Sequence, residues 1–309
     1  MNILVTGGSG FIGSNLSDYL VNKGHAVTVV DDLSTGYISN LSSVIEGISF
    51  YEEKIELFDF DKLPKIDVLV HLAAQASAHI SVAEFGSSSS LNMLGTIKVI
   101  DYCRVNQIPL VYASSSAIYG NLELGDDQNS RVDLLTPYAI DKYAMELYAK
   151  TAYKLYQLSS IGLRFFNVYG QRQDPTSSYS GVISTFVDRL LRRESITING
   201  GYQTRDFIYV KDVVDIIFKS IVVASNTVLC EQINVLTGQS VTIDELANML
   251  IKKIGVDVNK KYQELPLGDP EQSNGTTKKM VSLLKADLSD MVHIDSGLSE
   301  TVNFMRGQA

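Results

Sequence analysis

Thr6-Gly-Gly-Ser-Gly-Phe-Ile-Gly13 decides the fold. It follows an apolar run, Asn2–Thr6, that reads as a strand, and precedes Asn15–Lys23, which reads as a helix ending at Gly24. A glycine-rich turn between a first strand and a first helix is the setting of a dinucleotide-binding fingerprint. Gly7 suits the tight turn, Gly10 lets backbone approach a pyrophosphate, and Gly13 lets the helix pack closely on the strand. The helix N-terminus adds free N–H groups and the positive end of its dipole. The spacing is Gly-x-x-Gly-x-x-Gly rather than Gly-x-Gly-x-x-Gly. Asp31 closes the next strand, Val27–Asp31. A carboxylate there accepts hydrogen bonds from ribose hydroxyls and repels a 2′-phosphate, so NAD is expected rather than NADP. Asp32 is the second candidate for this role.

The alternation continues outward from the loop. Val68–Ala73 and Leu110–Ser114 read as strands, with a helix over Leu94–Asn106 between them. A long helix follows Pro137 to about Gln157, and Ile161–Asn167 is a further strand. Pro137 suits a helix start because its missing N–H would lack a helical partner there anyway. Strands apolar throughout are covered on both faces, and βαβ alternation implies a parallel sheet with right-handed crossovers. The expected fold is therefore α/β: a Rossmann-type doubly wound parallel sheet with a smaller C-terminal α/β substrate domain. Beyond Val168 the character changes, with Gly, Ser, Gln and Asp frequent over 170–181. Helices over Ile183–Arg193 and Thr242–Ile254 and strands over Ser195–Asn199 and Gln232–Val235 are read there. One further helix is read in the polar tail after Lys260. Ser87–Ser90 reads as a loop or helix cap. The expected division is 1–167, with a return segment about 203–235, for the cofactor, and 168–202 with 236–309 for the substrate.

Composition excludes several classes. A net charge of −9 leaves no global basic footprint for nucleic acid, so an anionic ligand must be held locally. No apolar run approaches a membrane span, and no leader is read. Cys103 and Cys230 match no metal spacing and read as reduced, so no metal and a cytoplasmic location are expected.

Tyr138-Ala-Ile-Asp-Lys142 places a phenol and an ammonium one helical turn apart on the same face. An adjacent ammonium favours phenolate, and a phenol that ionises more easily can take a proton from a hydroxyl group. Spacing alone does not decide this, because Tyr19 and Lys23 repeat it. The neighbours do. Ser114-Ser-Ser116 follows a strand, at the end where open α/β sheets place ligands.

These stretches, with His71-Leu-Ala-Ala-Gln75, Leu163-Arg-Phe-Phe-Asn-Val-Tyr-Gly170 and Arg205-Asp-Phe-Ile-Tyr-Val-Lys-Asp212, resemble the extended short-chain dehydrogenase/reductase superfamily. The chain is most similar to NAD-dependent nucleotide-sugar epimerases acting on UDP-glucose or UDP-N-acetylglucosamine. The resemblance covers about Asn2 to Val235 well and the tail poorly. It implies that Tyr138 is the general base, that Lys142 bonds the nicotinamide ribose and lowers the Tyr138 pKa, and that Ser116 bonds the reacting sugar hydroxyl. Ser114 and Ser115 would lie nearer the nicotinamide. Phe11 and Ile12 would join the glycines at the cofactor. Leu72, Ala73, Ala74 and Gln75 would line its channel, supported by Asn92. Asn167 and Arg205 would hold the substrate diphosphate, with an Arg205 ion pair to Asp206 or Asp212 as the alternative. Tyr179–Phe186, including Val182, resembles the loop and helix that take the nucleotide base. The implied reaction is 4-epimerisation of a UDP-hexose or UDP-N-acetylhexosamine through a 4-keto sugar, in a homodimer built on 94–106 and 138–157. Tyr102, Tyr143, Met145 and Tyr153 are assigned either to that interface or to the core.

The family's late Arg-x-Gly-Asp is here Pro266-Leu-Gly-Asp269, without the arginine, and Lys260 or Lys261 is the candidate to compensate. Its adenine-contacting Asp is replaced near Lys54-Ile55. Ser273 is small where bulky residues exclude an N-acetyl group. In related 4,6-dehydratases an Asp-Glu pair follows the catalytic hydroxyl residue. Ala117-Ile118 follows Ser116, which argues against elimination. The alternatives left open are a nucleotide-sugar dehydratase, a 4-keto reductase and a non-catalytic dinucleotide-binding sensor.

Overall fold

The computed structural model describes residues 1–177, 180–265 and 269–307. Seven parallel strands form the central sheet: β1 (Asn2–Thr6), β2 (Ala26–Asp31), β3 (Ile48–Glu52), β4 (Val68–His71), β5 (Leu110–Ser115), β6 (Ser160–Phe165) and, far later in sequence, β10 (Cys230–Val235). Their order is β3-β2-β1-β4-β5-β6-β10. The strand order reverses between β1 and β4, which opens a crevice at the C-terminal strand ends. Every residue of β4 and β6 is buried; β4 carries the apolar run Val68–Val70, while β6 also buries Ser160 and Arg164.

Helices cover both faces. These are α1 (Phe11–Asn22), α2 (Ala78–Ala83), α3 (Phe85–Asn106), α4 (Pro137–Tyr156) and α6 (Val210–Asn226). The helix α4 starts where Thr136 accepts from the Ala139 N–H at 3.2 Å with Pro137 in the first turn, and stops at Gln157 in a left-handed conformation. One core cluster joins the sheet to α1 and α6 through Leu16, Val213 and Ile217. Another joins it to α3 and α4 through Val99 and Met145.

A smaller unit lies beyond the strand ends. It contains β7 (Asn167–Tyr169), α5 (Val182–Leu191), β8 (Ile196–Asn199), β9 (Thr204–Tyr209), β11 (Ser240–Thr242), α7 (Ile243–Ile254), β12 (Lys260–Gln263) and α9 (Ile294–Arg306). Strands β11, β9 and β7 form one small sheet, and β12 pairs with β8. A third cluster, with Phe186, Leu246 and Leu298, holds this unit together. The helix α8 (Lys278–Leu284) belongs elsewhere: Met280 and Leu284 pack into the sheet cluster with α6, although sequence grouped them with the substrate unit.

Several elements differ from expectation. The helix α1 starts at Phe11, directly after an extended Gly10. The helix α3 starts at Phe85 and absorbs Ser87–Ser90, with Ser88 buried. Serine's weak helix propensity is overridden there by packing. The segment Ile161–Asn167 breaks at Phe166, whose N–H donates to Val235 at 3.1 Å, so β6 and β7 enter different sheets. The tail carries two helices and a strand rather than one helix. The helix α6 was not anticipated, although Val210, Val213, Val214, Ile217 and Ile221 repeat at helical spacing and are all buried.

Candidate active site

A cleft of about 810 Å³ runs along the strand ends and between the two units. Its cofactor end is the glycine loop. Gly7 holds φ at +71°, and a Cβ there would lie 2.7 Å from the Ala73 nitrogen. A Cβ on Gly13 would lie 2.0 Å from the Gly7 carbonyl oxygen, so close loop–helix packing requires glycine. Gly10 is different, because its Cβ would meet protein only at 3.3 Å. Gly10, Phe11 and Ile12 line the cleft.

The Asp31 carboxylate sits at the end of β2, accepting from the Ser9 N–H at 2.8 Å and the Leu33 N–H at 2.9 Å. Burial pushes its pKa up, and these backbone bonds oppose the shift. Asp32 is folded into its own turn, accepting from the Ser34 N–H at 3.0 Å. Leu72, Ala73, Ala74 and Gln75 form the opposite wall. Asn92 stands behind that wall and does not line it. Its Oδ1 accepts from the Gln75 N–H at 2.8 Å, and its Nδ2 donates to Asp141 at 3.0 Å.

The three serines separate by function. Ser114 donates to Glu146 at 2.6 Å, inside a buried group in which Arg164 pairs bidentately with the same carboxylate at 2.8 and 2.7 Å. Ser115, not Ser116, is the serine whose hydroxyl acts on the Tyr138 phenol, favouring its ionised form. The reason is geometric: β5 ends at Ser115, neighbouring strand residues point to opposite faces, and the chain turns into a 3₁₀ helix at Ser116. Ser116 lines the cleft at that turn. Reassigning the hydroxyl to Ser115 leaves Ser116-Ala117 as the following pair, which again offers no carboxylate.

The Lys142 Nζ lies 5.7 Å from the Tyr138 ring centroid and donates to the Ala113 carbonyl at 2.7 Å. The expected lowering of the Tyr138 pKa is not found. Burial pushes the phenol up and Asp141 adds to the rise, while the Ser115 hydroxyl pulls it down. Burial instead acts on Lys142, bringing it down to about 8.

At the substrate end, Asn167, Arg205, Asp269 and Ser273 converge. Asn167 Nδ2 donates to the Asp206 carbonyl at 3.0 Å. Arg205 pairs with Asp269 at 2.9 Å, rather than with the sequence-adjacent acids. Asp206 instead accepts from Thr237 and Gly238, and Asp212 from the Val292 N–H. Val182 packs against the small unit's core and is not part of the cleft lining, which Gly181 supplies. Lys260 is paired with Asp244 at 2.8 Å, so it does not replace the absent arginine. Pro266 and Tyr179 lie outside the described residues.

Sequence reasoning missed Arg172, Gln173, Asp174 and Tyr37, which line the cofactor end. Arg172 holds φ at +69° and pairs with Asp18 at 2.5 Å. Tyr37 donates to Asp174 at 2.7 Å. Only the position of Arg172 and Gln173 in the polar stretch after Gly170 hinted at them. Arg172 Nη1, Gln75 Oε1 and Gln173 Oε1 are buried without a hydrogen-bond partner in this cleft. Buried polar atoms are normally satisfied, so these orphans fit a polar ligand seated among them.

A parallel sheet with a glycine-rich first turn, an aspartate closing the second strand and a Tyr–Lys pair at the switch point defines a dinucleotide-binding protein of the short-chain dehydrogenase/reductase class. The chain belongs to the NAD dependent epimerase/dehydratase family, whose profile matches residues 3–235. It is 32% identical over 318 residues to the UDP-glucose 4-epimerase of Mycolicibacterium smegmatis, covering 100% of both chains. Among solved structures it is similar to the UDP-N-acetylglucosamine 4-epimerase of Methanobrevibacter ruminantium in complex with UDP-N-acetylmuramic acid, with TM-score 0.92 and 34% identity, covering 100% of this chain and 99% of that one. It is also similar to the Thermus thermophilus UDP-glucose 4-epimerase in complex with NAD, with TM-score 0.88 and 30% identity, covering 100% of both chains. Among the described residues no helix is long and apolar enough to cross a membrane.

Proposed function

We propose that the chain catalyses 4-epimerisation of a neutral UDP-hexose or UDP-N-acetylhexosamine through a 4-keto sugar. The observation that carries this reading is the juxtaposition of Ser115, Tyr138 and Lys142 in the cleft at the strand-order switch, with no carboxylate in the two residues after Ser115. Tyr138 takes the proton from the sugar 4-hydroxyl and returns it to the opposite epimer. Ser115 orients that hydroxyl and stabilises the phenolate. NAD, when bound, supplies the hydride acceptor and donor, so the cycle is redox-neutral.

The chain's residues divide the binding work. Gly7, Gly10, Phe11, Ile12 and Gly13 take the cofactor diphosphate at the start of α1. Asp31 takes the adenosine ribose, and Lys142 the nicotinamide ribose. Arg172 and Gln173 offer further polar contacts to the cofactor. Asn167 and Arg205 take the substrate diphosphate, the latter as a planar fork suited to phosphate oxygens. This assigns 1–167 and the return through α6 and β10 to the cofactor, and most of 168–202 and 236–309 to the sugar nucleotide.

The neutral-sugar preference rests on Arg205 being, among the described residues, the cation lining the substrate end: once it takes the diphosphate, none is left there for a carboxylate on the sugar. The small Ser273 nearby favours an acetamido group. A homodimer is proposed through α3 and α4, which expose Leu94, Leu147 and Tyr148. Light scattering on the purified protein tests this. The cytoplasm is proposed as its compartment.

Incubating the purified protein with UDP-N-acetylglucosamine and with UDP-glucose tests the function. The C4 epimer of at least one should form, and Tyr138→Phe should slow it by at least about 100-fold. No conversion of either, or conversion undiminished in Tyr138→Phe, would sink the reading.

A further inference from the structure

We propose that Asp141, a buried carboxylate beside the Tyr138–Lys142 pair, is a positioning residue that serves as counter-ion to Lys142 and, through Asn92, fixes the cleft wall at Gln75. This deepens the epimerase reading and rests on it for its catalytic consequence.

Asp141 lies in the first turns of α4 and is 3% exposed. Lys142 and Asn92 are each 2% exposed. A buried ammonium needs charge compensation as well as a hydrogen bond. Lys142 has a neutral acceptor, the Ala113 carbonyl of β5 at 2.7 Å. Compensating charge must come from its surroundings. On α4 these hold Tyr138 and Asp141, and one turn further Glu146, whose charge is met by Arg164 of β6. On β4 stands His71, hydrogen-bonded to Thr6 at 2.7 Å and kept neutral by burial and by the Lys142 charge, with its pKa down to about 3. Asp141 is thus the carboxylate left to balance Lys142, across more than the 4 Å of a direct ion pair but within the same buried region. Its charge opposes the burial that brings Lys142 down to about 8, and it also raises the Tyr138 pKa.

The same carboxylate has a structural partner across the helix interface. Asn92 Nδ2 donates to Asp141 Oδ2 at 3.0 Å and to the Gln75 carbonyl at 3.3 Å. Asn92 Oδ1 accepts from the Gln75 N–H at 2.8 Å. One asparagine therefore clamps both backbone groups of Gln75, a residue of the cleft wall, and the Asp141 carboxylate holds the asparagine amide in the required orientation. A charge placed to keep the lysine protonated and a brace placed to hold the wall are the same side chain.

The test follows the ¹³Cε chemical shift of Lys142 against pH, with the signal assigned by its loss in Lys142→Met. In Asp141→Asn and Asp141→Ser the midpoint falls by about one pH unit, and Asp141→Glu restores it. Asn92→Ala leaves the midpoint in place but lowers the amount of NAD that copurifies. An unchanged midpoint in both neutral variants overturns the counter-ion role, and full NAD retention in Asn92→Ala overturns the brace. Neither readout uses turnover. If the midpoint moves but no UDP-sugar is epimerised, the electrostatic assignment stands and the epimerase reading fails.

Discussion

Ser115 and Tyr138, brought together from the end of β5 and the start of α4, line one cleft, where the Ser115 hydroxyl pulls the phenol pKa down against the effect of burial. Ser115→Ala therefore lowers kcat by roughly 10²-fold, as loss of a preorganised donor to developing negative charge does. Tyr138→Phe costs about 10²- to 10⁴-fold. Ser116→Ala stays within the parent's order of magnitude. Steady-state rates with the converted UDP-sugar check the ordering. Equal damage from Ser115→Ala and Ser116→Ala would reject the assignment.

Two glycines of one loop should fail differently. Gly13→Ala places a Cβ 2.0 Å from the Gly7 oxygen, so the loop or α1 must move and thermal stability falls. Gly10→Ala meets protein only at 3.3 Å, so the fold survives while the cofactor phosphate loses its close approach. Melting temperature and NAD content of the purified variants separate the two outcomes.

Arg205→Ala should raise KM by about 10- to 100-fold, the range expected on losing a charge-assisted contact. The effect should fall mainly on KM, because the diphosphate is bound alike in ground and transition states. A loss confined to kcat would place Arg205 elsewhere in the cycle.

The buried Arg164–Glu146 pair is a structural support under the site. Glu146→Gln leaves the guanidinium without its counter-charge and should destabilise the fold by about 3–5 kcal/mol in urea unfolding. Ser114 and Tyr119 hydrogen-bond within the same group, at 2.6 Å to Glu146 and 2.6 Å to Arg164, so the cleft wall loosens with it.

Lys142 makes a pH prediction with a definite sign. Its folded pKa, about 8, lies below the unfolded value near 10.4. Between those values the unfolded chain binds more protons, so this residue's contribution to stability rises with pH across that window and is unfavourable below it. Urea midpoints of the parent and of Lys142→Met, compared from pH 7 to 10, should shift in the parent's favour. A constant difference would show that Lys142 does not titrate there.

The local parts of this protein were legible in its residues. Gly7, Gly10 and Gly13 specify a turn and a close approach through backbone sterics, and the apolar run Val68–Val70 of β4 announces a sheet buried on both faces. Asp31, Tyr138 and Lys142 each carry their chemistry in the side chain and sit in short motifs, so position in sequence sufficed to nominate them, and all three line the cleft. Elsewhere the sequence misled. Three adjacent serines look equivalent, and only strand alternation and the turn after β5 separate Ser114, Ser115 and Ser116. The partner of Arg205 proved to be Asp269 rather than the neighbouring Asp206, because chain folding and not chain distance sets ion pairs. Arg172 carries no motif, and its orphaned Nη1 is visible only once the loop lies in the cleft. Sequence by itself determined the fold class and the family and offered the proposed reacting pair, since these follow from local sterics, periodicity and side-chain chemistry. Tertiary structure alone decided which serine meets the phenol and what burial does to Lys142, since hydrogen-bond geometry and desolvation are properties of what surrounds a residue.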